Sequence, residues 1–477
     1  MSDAAEIWAK NFSSRHLQFS QKDQIPFEQG HVLGRGGVST VYETKFGGIA
    51  LAWKRTYTRV IGETQLNEIK ILSEMRRHQH IVELVGSYVR RSKAGGIHEV
   101  GLLIWPVARC DLGVFLLELD KLRKLVATYT QLELDDEEKE TCRFLATLIP
   151  HQEQLSNSPA EIYDAMIRRL CTAFGCIAHA IDYLHINKIR HRDLKPDQIL
   201  ISRDGLWVTD FGWSKDISNL STSVSVNGET INRKYHSPER AQMQPTGRSE
   251  DIFSLGCTYL QMAYGIARLP LQQLEGLRSD GDCSFQANLG NLNGWTNLLR
   301  ECRSMKLRVL AALIKETLSK VPKDRPKAAE IISVLKAIDT LPTEYDVLAR
   351  CSFVHSCCSG SQMITPSKQS TETVEPSIPS DKAEGTSDLS QILDMVADNN
   401  LVKGHARASG AADRMLSELW EEAIPAFKNT SPGPPSNYLT KEWDPVFSND
   451  RIPRDTESCI VRKRTLVDTE PIALQFS

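Results

Sequence analysis

The sequence predicts an α+β fold, in which a β-rich first part precedes a mainly helical second part and a largely irregular tail. Between residues 27 and 110, short apolar runs alternate with glycine turns, and one stretch has apolar residues at helical spacing. From about residue 112 the spacing becomes helical, most clearly over 160–185. After about residue 342 Ser, Thr and Pro dominate, a composition typical of linkers and disordered segments.

The β-rich part has the pattern of strand pairs around a single helix. The segments 31–44 and 47–56 are typical of two strands joined by glycines, and 81–90 and 100–107 are typical of two further strands. Between these pairs lies the helical segment 63–78. In the helical part, the stretch of about 120–158 contains the acidic run LELDDEEKE and is predicted to be a solvated surface insertion.

The overall composition is that of an ordinary globular protein. Of the 477 residues, 41% are hydrophobic and 25% are charged, which excludes a wholly disordered chain. The length allows roughly two to four domains of ~100–200 residues each. A formal net charge of −3 excludes a global electrostatic footprint for nucleic acid, so we expect no nucleic-acid partner.

The sequence favours a cytoplasmic location. The first twenty residues have no basic region followed by an apolar one, so we expect no signal peptide. The longest apolar stretch, 253–267, falls short of the ~20 residues that span a bilayer, so no transmembrane segment is predicted. Eleven scattered cysteines are typical of reduced thiols inside a cell. The short basic run 461–464 leaves the nucleus as the alternative location.

Three cysteines are concentrated near the start of the tail, at Cys351, Cys357 and Cys358. A metal site there would need further ligands at suitable spacing, and only His355 is near in the sequence. We therefore predict linker or surface thiols, with a lipidated cysteine pair as the alternative.

Two local features in the β-rich part are suited to binding phosphates. Gly34, Gly36 and Gly37 allow a backbone turn whose N–H groups approach an anion, although a plain glycine-rich hairpin has the same pattern. Lys54 lies on the strand after that turn, and Glu68 on the following helix could hold it in an ion pair. A lysine fixed in this way can neutralise nucleotide phosphates, whereas a lone lysine on a strand is usually solvated.

The most specific signal is the segment HRDLKPDQIL at 191–200, followed by Asp-Phe-Gly at 210–212. One carboxylate in such a pattern can accept a proton from an attacking hydroxyl, and a second can bind Mg²⁺. A cation beside the base can stabilise a phosphoryl group in transfer. Further along the chain lie Ser-Pro-Glu at 237–239, DIFSLG at 251–256 and Lys-Asp-Arg-Pro at 323–326.

Taken together, these motifs resemble those of a eukaryotic protein kinase domain, in the order that this family has them. The resemblance covers about 28–340 and implies a two-lobed fold, with an N-lobe at 28–107 and a C-lobe at 108–340. Residues 1–27 are then an N-terminal extension. We expect residues 341–477 to be a mostly disordered tail, which leaves room for short helices and for a protein partner.

The resemblance also implies roles for the site residues. Asp193 would be the catalytic base and Lys195 would contact the γ-phosphate of ATP. Asp210 and Gln198 would hold Mg²⁺, with Mn²⁺ as the alternative ion. Lys54 would pair with Glu68. The residues implied in ATP binding are Leu33, Gly34, Gly36, Gly37, Val41, Ala52, Lys54, Ile104, Trp105, Val107, Asp111 and Leu200.

The expected activity is transfer of the γ-phosphate of Mg-ATP to Ser or Thr hydroxyls of protein substrates. Lys195 in its Asp-Leu-Lys-Pro context resembles the Ser/Thr class, and Arg192 marks kinases that are switched by phosphorylation of the activation loop. Glu239 would pair with Arg325 beneath the substrate platform, and Asp251 would support the catalytic loop. This platform argues against a small-molecule phosphotransferase.

Two positions depart from the family pattern. Gln198 stands where an Mg²⁺-binding Asn is expected, and its longer side chain could hold the second metal ion less well. Asn232 stands where Ser/Thr kinases usually have Thr. These substitutions leave a second hypothesis open, a pseudokinase scaffold that binds nucleotide and transfers little or no phosphate.

Overall fold

The computed structural model describes residues 3–36, 39–58, 63–91, 97–128, 134–150, 158–216, 233–278, 281–302, 304–341 and 348–359. Within these ranges a β-sheet region precedes a mainly helical region, so the predicted α+β class is confirmed. None of the helices in these ranges is long and apolar enough to cross a bilayer. The low-complexity residues of the predicted tail after 360 lie outside the described ranges.

The first region is a six-stranded sheet with two helices. Its elements are α1 (Asp3–Asn11), β1 (His16–Phe19), β2 (Val32–Arg35), β3 (Ser39–Phe46), β4 (Ile49–Tyr57), α2 (Glu63–Glu74), β5 (Glu83–Arg91) and β6 (Ile97–Trp105). The strand order is β1-β5-β6-β4-β3-β2. All neighbouring strands are antiparallel except β1, which pairs parallel to β5. The helix α2, between β4 and β5, carries the helical spacing seen in the sequence.

Residues 3–27, which belong to the predicted extension at 1–27, contribute an edge strand to this sheet and a helix that packs on it. Trp8 on α1 is 2% exposed, and its ring stacks on Phe27 at 5.8 Å between centroids. Gly86 on β5 makes room for it, because a Cβ there would lie 2.2 Å from the indole. The extension is therefore packed against the sheet, since its aromatic side chains have an apolar surface to cover.

The second region is built around one long helix, α5 (Pro159–Ile186). Ser158 accepts a hydrogen bond from the Glu161 N–H at 3.3 Å and Pro159 occupies the first turn, both favourable at a helix N-terminus. The strands are β7 (Cys110–Asp111), β8 (Ile189–Arg190), β9 (Ile199–Ser202), β10 (Gly205–Val208) and β11 (Lys215–Asp216). The other helices are α3 (Leu112–Thr128), α4 (Asp136–Ala146), α6 (Pro238–Ala241), α7 (Ser249–Ile266), α8 (Leu271–Gly276), α9 (Leu292–Glu301), α10 (Met305–Thr317), α11 (Ala328–Asp339) and α12 (Ser356–Ser359).

The predicted surface insertion at 120–158 is mostly helical and packs on the core. Its acidic run begins α4, where Asp135 and Glu138 form a capping box. The same helix buries Phe144 and Leu145, and Leu148 just after it is fully buried. The prediction of a solvated insertion was wrong for these residues, because the acidic groups occupy one end and one face of the helix while apolar residues occupy the other face.

The start of the predicted tail, 348–359, packs on the helical region. Phe353 is fully buried, and its carbonyl accepts a hydrogen bond from the Gly175 N–H on α5 at 2.9 Å. Asp339 accepts hydrogen bonds from the backbone N–H groups of Phe353 at 2.7 Å and Val354 at 2.9 Å. This segment therefore continues the packed domain past residue 340.

The prediction of linker or surface thiols was wrong for two of the three tail cysteines. Cys351 is 7% exposed and Cys358 is 4% exposed, while Cys357 is half-buried. The burial of Cys358 also argues against a lipidated pair. Sequence spacing could not show this, since the burial comes from α5 and from the loop before β5.

Candidate active site

The sheet register places the phosphate-binding features of the sequence on neighbouring strands. Gly34 on β2 pairs with Val41 on β3, and Val41 pairs with Lys54 on β4. Glycine at 34 and 36 keeps this edge open, since little lies near a Cβ at either position. Gly37 lies outside the described residues. The glycine turn is therefore carried next to the lysine by three consecutive strands of one sheet.

Lys54 contacts two carboxylates at the candidate site, those of Glu68 and Asp210. Its Nζ lies 2.8 and 2.9 Å from the two carboxylate oxygens of Glu68 on α2, and 3.2 Å from Oδ1 of Asp210. Burial alone would lower the lysine's pKa, but attraction to both carboxylates outweighs it and raises the pKa above its usual value. The lysine is therefore held charged and in a fixed position.

Asp210 lies opposite the segment that follows β8. It has a positive φ of 65°, in the left-handed region that Asp tolerates better than most residues. Burial would raise the pKa of this carboxyl, but the charge of Lys54 outweighs that effect and lowers it. Asp210 is therefore ionised at neutral pH, as a ligand for a hard divalent cation must be.

The loop at 191–198 brings the predicted base and its neighbours to the same place. Lys195 Nζ lies 2.7 Å from Oδ2 of Asp193. Gln198 donates through Nε2 to Oδ2 of Asp210 at 3.0 Å, and the same nitrogen is 3.5 Å from Oδ2 of Asp193. Four residues that the sequence places in two motifs therefore form one hydrogen-bonded group.

A buried carboxylate holds this loop in place. Asp251 on α7 accepts hydrogen bonds from the backbone N–H groups of His191 at 2.9 Å and Arg192 at 2.7 Å, and lies 2.9 Å from Nε2 of His185. Arg192 has a positive φ of 68°, a conformation that costs energy for a residue of this size. The two hydrogen bonds to Asp251 offset that cost and fix the direction of the next residue, Asp193.

Asn67 ties the helix that carries Glu68 to the segment after Asp210. Its Nδ2 donates to the carbonyl oxygens of Phe211 at 3.3 Å and Gly212 at 3.2 Å, and also contacts the Ser214 carbonyl. Sequence reasoning missed this residue. The only signal is its position next to Glu68, which does not reveal a contact across 144 residues of chain.

The residues predicted to enclose a purine come from both regions. Ala52 pairs with Ile104 in the sheet, and Asp111 pairs with Leu200 in the small sheet of the helical region. Ile104 is buried, whereas Leu33 is 39% exposed. Val41, Ala52, Trp105, Val107, Asp111 and Leu200 are all partly buried. One oxygen of Asp111 accepts a hydrogen bond from the Val114 N–H at 2.9 Å.

A second buried ion pair lies beneath the helical region's surface. Both guanidinium nitrogens of Arg325 reach Glu239, at 2.7 and 2.8 Å, and the arginine side chain has no exposed area. This pair joins the segment before α11 to α6, which follows Ser237. The contact is the bidentate type that gives an Arg–carboxylate pair its geometric specificity.

The family comparison covers the part of the chain that contains most of this site. A protein kinase domain family model matches residues 137–334, which include Asp193, Asp210, Glu239 and Arg325. This match and the serine/threonine kinases among the relatives support assignment of the chain to the protein kinase superfamily. The sheet region with Lys54 and Glu68 lies before the matched residues, so its kinase-like arrangement rests on the contacts described above.

Individual relatives match between 99 and 313 residues of this chain. It is 37% identical to 3-phosphoinositide-dependent protein kinase 1 of Homo sapiens over 99 residues, 20% of this chain and 18% of that protein. It is 31% identical to serine/threonine-protein kinase Nek3 of Oryza sativa subsp. japonica over 165 residues, 34% of this chain and 26% of that protein. With serine/threonine-protein kinase MPS1 of Encephalitozoon cuniculi it shares 23% identity over 313 residues, 63% of this chain and 41% of that protein. The matched part thus spans less than half of each relative.

Proposed function

We propose that this kinase domain is catalytically active and transfers the γ-phosphate of Mg-ATP to Ser or Thr hydroxyls of proteins. The observation that carries the proposal is the position of Lys54 Nζ, within 2.8 Å of Glu68 and 3.2 Å of Asp210. In active protein kinases the strand lysine must pair with the helix glutamate while the Asp of Asp-Phe-Gly is in place. Here one nitrogen atom contacts both residues, which supports the proposal.

The chain's own groups have separate tasks in this proposal. Asp193 accepts the proton of the substrate hydroxyl, and Lys195 beside it stabilises negative charge on the transferring group. Lys54 orients the nucleotide phosphates. The adenine base is enclosed by apolar side chains from both regions, and the glycine turn covers the phosphates with backbone N–H groups.

The donor set suits a divalent cation. Asp210 offers carboxylate oxygens and Gln198 offers an amide oxygen, both hard ligands of the kind that Mg²⁺ prefers. When bound, Mg²⁺ or Mn²⁺ neutralises charge on the phosphates. For Gln198 to contribute its oxygen, its amide must turn from the present arrangement, in which the nitrogen faces Asp210.

The assignment to the Ser/Thr class is supported by Lys195 in the Asp-Leu-Lys-Pro context and by relatives named as serine/threonine kinases. Asn232, where this class usually has Thr, lies outside the described residues. Protein substrates are further supported by the buried Glu239–Arg325 pair, which the family has beneath its protein-substrate platform. A cytoplasmic location remains part of the proposal.

The test is phosphotransfer from radiolabelled ATP to a generic protein substrate, with Mg²⁺ and with Mn²⁺. We expect incorporation by the wild type and loss of it in Asp193→Asn. Asp164→Asn is the matched control: this Asp is 57% exposed, pairs with Arg268 at the surface, and its substitution should leave the rate unchanged. Equal incorporation by wild type and Asp193→Asn in both metals would refute the proposal.

The contact between Gln198 and Asp210 favours a second candidate, a pseudokinase. The amide nitrogen donates to one oxygen of the predicted metal ligand at 3.0 Å, and a side chain that stays there would compete with the metal ion. In that case ATP would raise the melting temperature of the protein, because it binds the folded state, yet no phosphate would be transferred. The phosphotransfer assay with a parallel thermal shift measurement separates the two functions.

A further inference from the structure

Four side chains of the types that bind metal ions lie close together, next to the packed segment at 348–359. They are His80 before β5, Cys176 on α5, and the adjacent Cys357 and Cys358 on α12. Their ligand atoms all lie within 4.8 Å of one another. His80, Cys176 and Cys358 are buried and Cys357 is half-buried. We propose that these four residues form a structural zinc site.

The distances between the ligand atoms match the edges of a zinc tetrahedron. With Zn–S of about 2.3 Å and Zn–N of about 2.0–2.1 Å, tetrahedral geometry requires S···S edges of about 3.8 Å and S···N edges of about 3.5 Å. The sulfur atoms of Cys176, Cys357 and Cys358 are 3.7, 3.9 and 4.0 Å apart. Nε2 of His80 lies 3.4 Å from Cys357 Sγ and 3.2 Å from Cys358 Sγ.

The imidazole of His80 is held in the tautomer that a metal ligand needs. Its Nδ1 lies 3.0 Å from the Leu206 carbonyl oxygen, which can only accept, so Nδ1 carries the proton. The lone pair is then on Nε2, which faces the sulfur atoms. A hydrogen bond from the second ring nitrogen to a backbone carbonyl is the usual support for a zinc-bound His.

The thiol chemistry is also suited to a soft divalent ion. Gln79 donates to the Cys357 carbonyl at 2.7 Å and fixes the backbone there. Three thiolates and one imidazole select zinc over the hard cations that prefer oxygen.

A disulfide explains the arrangement less well. The S–S bond length is about 2.05 Å, whereas each pair of sulfur atoms here is separated by 3.7 Å or more. Any one disulfide would also leave the third sulfur and the imidazole nitrogen facing it. Cys351, which the sequence grouped with the other two, does not join the four.

The site connects three segments that are far apart in the chain. His80 is attached to β10 through the Val208 N–H, which donates to the His80 carbonyl at 2.8 Å. It follows α2, the helix that carries Glu68, by a few residues. Zinc would therefore fasten the segment at 348–359 to α5 and to the loop that follows α2. All four coordination positions are filled by side chains, which is typical of structural and not catalytic zinc.

The experiment measures metal in the full chain, expressed with zinc and purified without chelators. Elemental analysis by inductively coupled plasma mass spectrometry should find about one zinc ion per chain. Replacement by Co²⁺ should give the visible absorption bands of a tetrahedral thiolate site. Cys176→Ser and Cys358→Ser should each weaken zinc binding at least about tenfold. Cys142→Ser is the matched control, since this cysteine is buried on the neighbouring α4 and lies outside the group.

A second measurement does not depend on the folding of the variants. A mercurial reagent that blocks thiols, added to the wild type, should release the zinc to a zinc-sensitive dye. Folded wild type without zinc after expression in its presence would overturn the proposal. So would another metal at full occupancy, a disulfide among the three cysteines, or zinc content unchanged in both ligand variants.

Discussion

The substitution Glu239→Gln tests how much the buried pair with Arg325 contributes to stability. It keeps the size of the side chain but removes its charge, and places an amide N–H where a carboxylate oxygen now accepts from Arg325. The arginine side chain has no exposed area and that of Glu239 is 5% exposed, so water cannot compensate. The guanidinium keeps its hydrogen bonds to the carbonyls of Ser319 and Ser249, both at 2.9 Å.

The expected loss of unfolding free energy in Glu239→Gln follows from this burial. Removing one partner of a buried pair leaves an uncompensated charge and costs about 3–5 kcal/mol of unfolding free energy. The matched change is Glu140→Gln on α4, where the glutamate pairs with Arg143 at 2.8 Å but the two side chains are 56% and 67% exposed. That pair contributes about 0–1 kcal/mol, because solvent screens it.

The assay is urea unfolding of both variants and the wild type, followed by tryptophan fluorescence. We expect Glu239→Gln to lower the midpoint strongly and Glu140→Gln to change it little, with equal slopes in all three proteins. If the two variants differ by less than about 1 kcal/mol, the burial argument for Glu239 fails.

Three further changes test the site, the pH dependence of stability and the N-terminal packing. Gln198→Asn should leave phosphotransfer equal or higher; a large loss of kcat would show that the site has adapted around Gln. Burial lowers the pKa of His236 to about 3, below about 6.5 in the unfolded chain, so its contribution to stability is complete above pH 6.5 and declines as the pH falls towards 3. Between pH 7 and pH 5, the free energy of unfolding of the wild type should fall by on the order of 2 kcal/mol more than that of His236→Gln, measured by urea unfolding. Equal losses in the two proteins would contradict this. Trp8→Ala should lower the free energy of unfolding by about 3–5 kcal/mol in the same assay. If the extension contributed nothing to stability, this loss would be close to zero.

Much of the fold could be predicted from local pattern. The strands around Lys54, the helix around Glu68 and the long helix α5 all have a clear periodicity in the sequence. The predictions that were wrong, for the N-terminal extension and for the insertion, share one cause. The indole of Trp8 and the apolar face of α4 are buried by surfaces from distant segments, and no local pattern shows whether an apolar residue will find such a surface.

The candidate site likewise has residues that local motifs predict and contacts that only the tertiary structure shows. The residue types and spacing of the 191–200 and 210–212 motifs predict which groups carry charge and protons, because each motif lies within one short stretch of backbone. That Lys54 contacts both Glu68 and Asp210 is a fact of the tertiary structure, since 156 positions separate the lysine from the second carboxylate.

The sequence alone determined the fold class and the resemblance to protein kinases, since those depend on periodicity and on motifs that are local. Only the tertiary structure decided that His80 meets Cys357, 277 positions away, and that the cysteines near the start of the tail belong to the packed domain. The physical reason is that such meetings depend on how helices and sheets pack over the whole chain. Ligand spacing along the sequence carries no record of that packing.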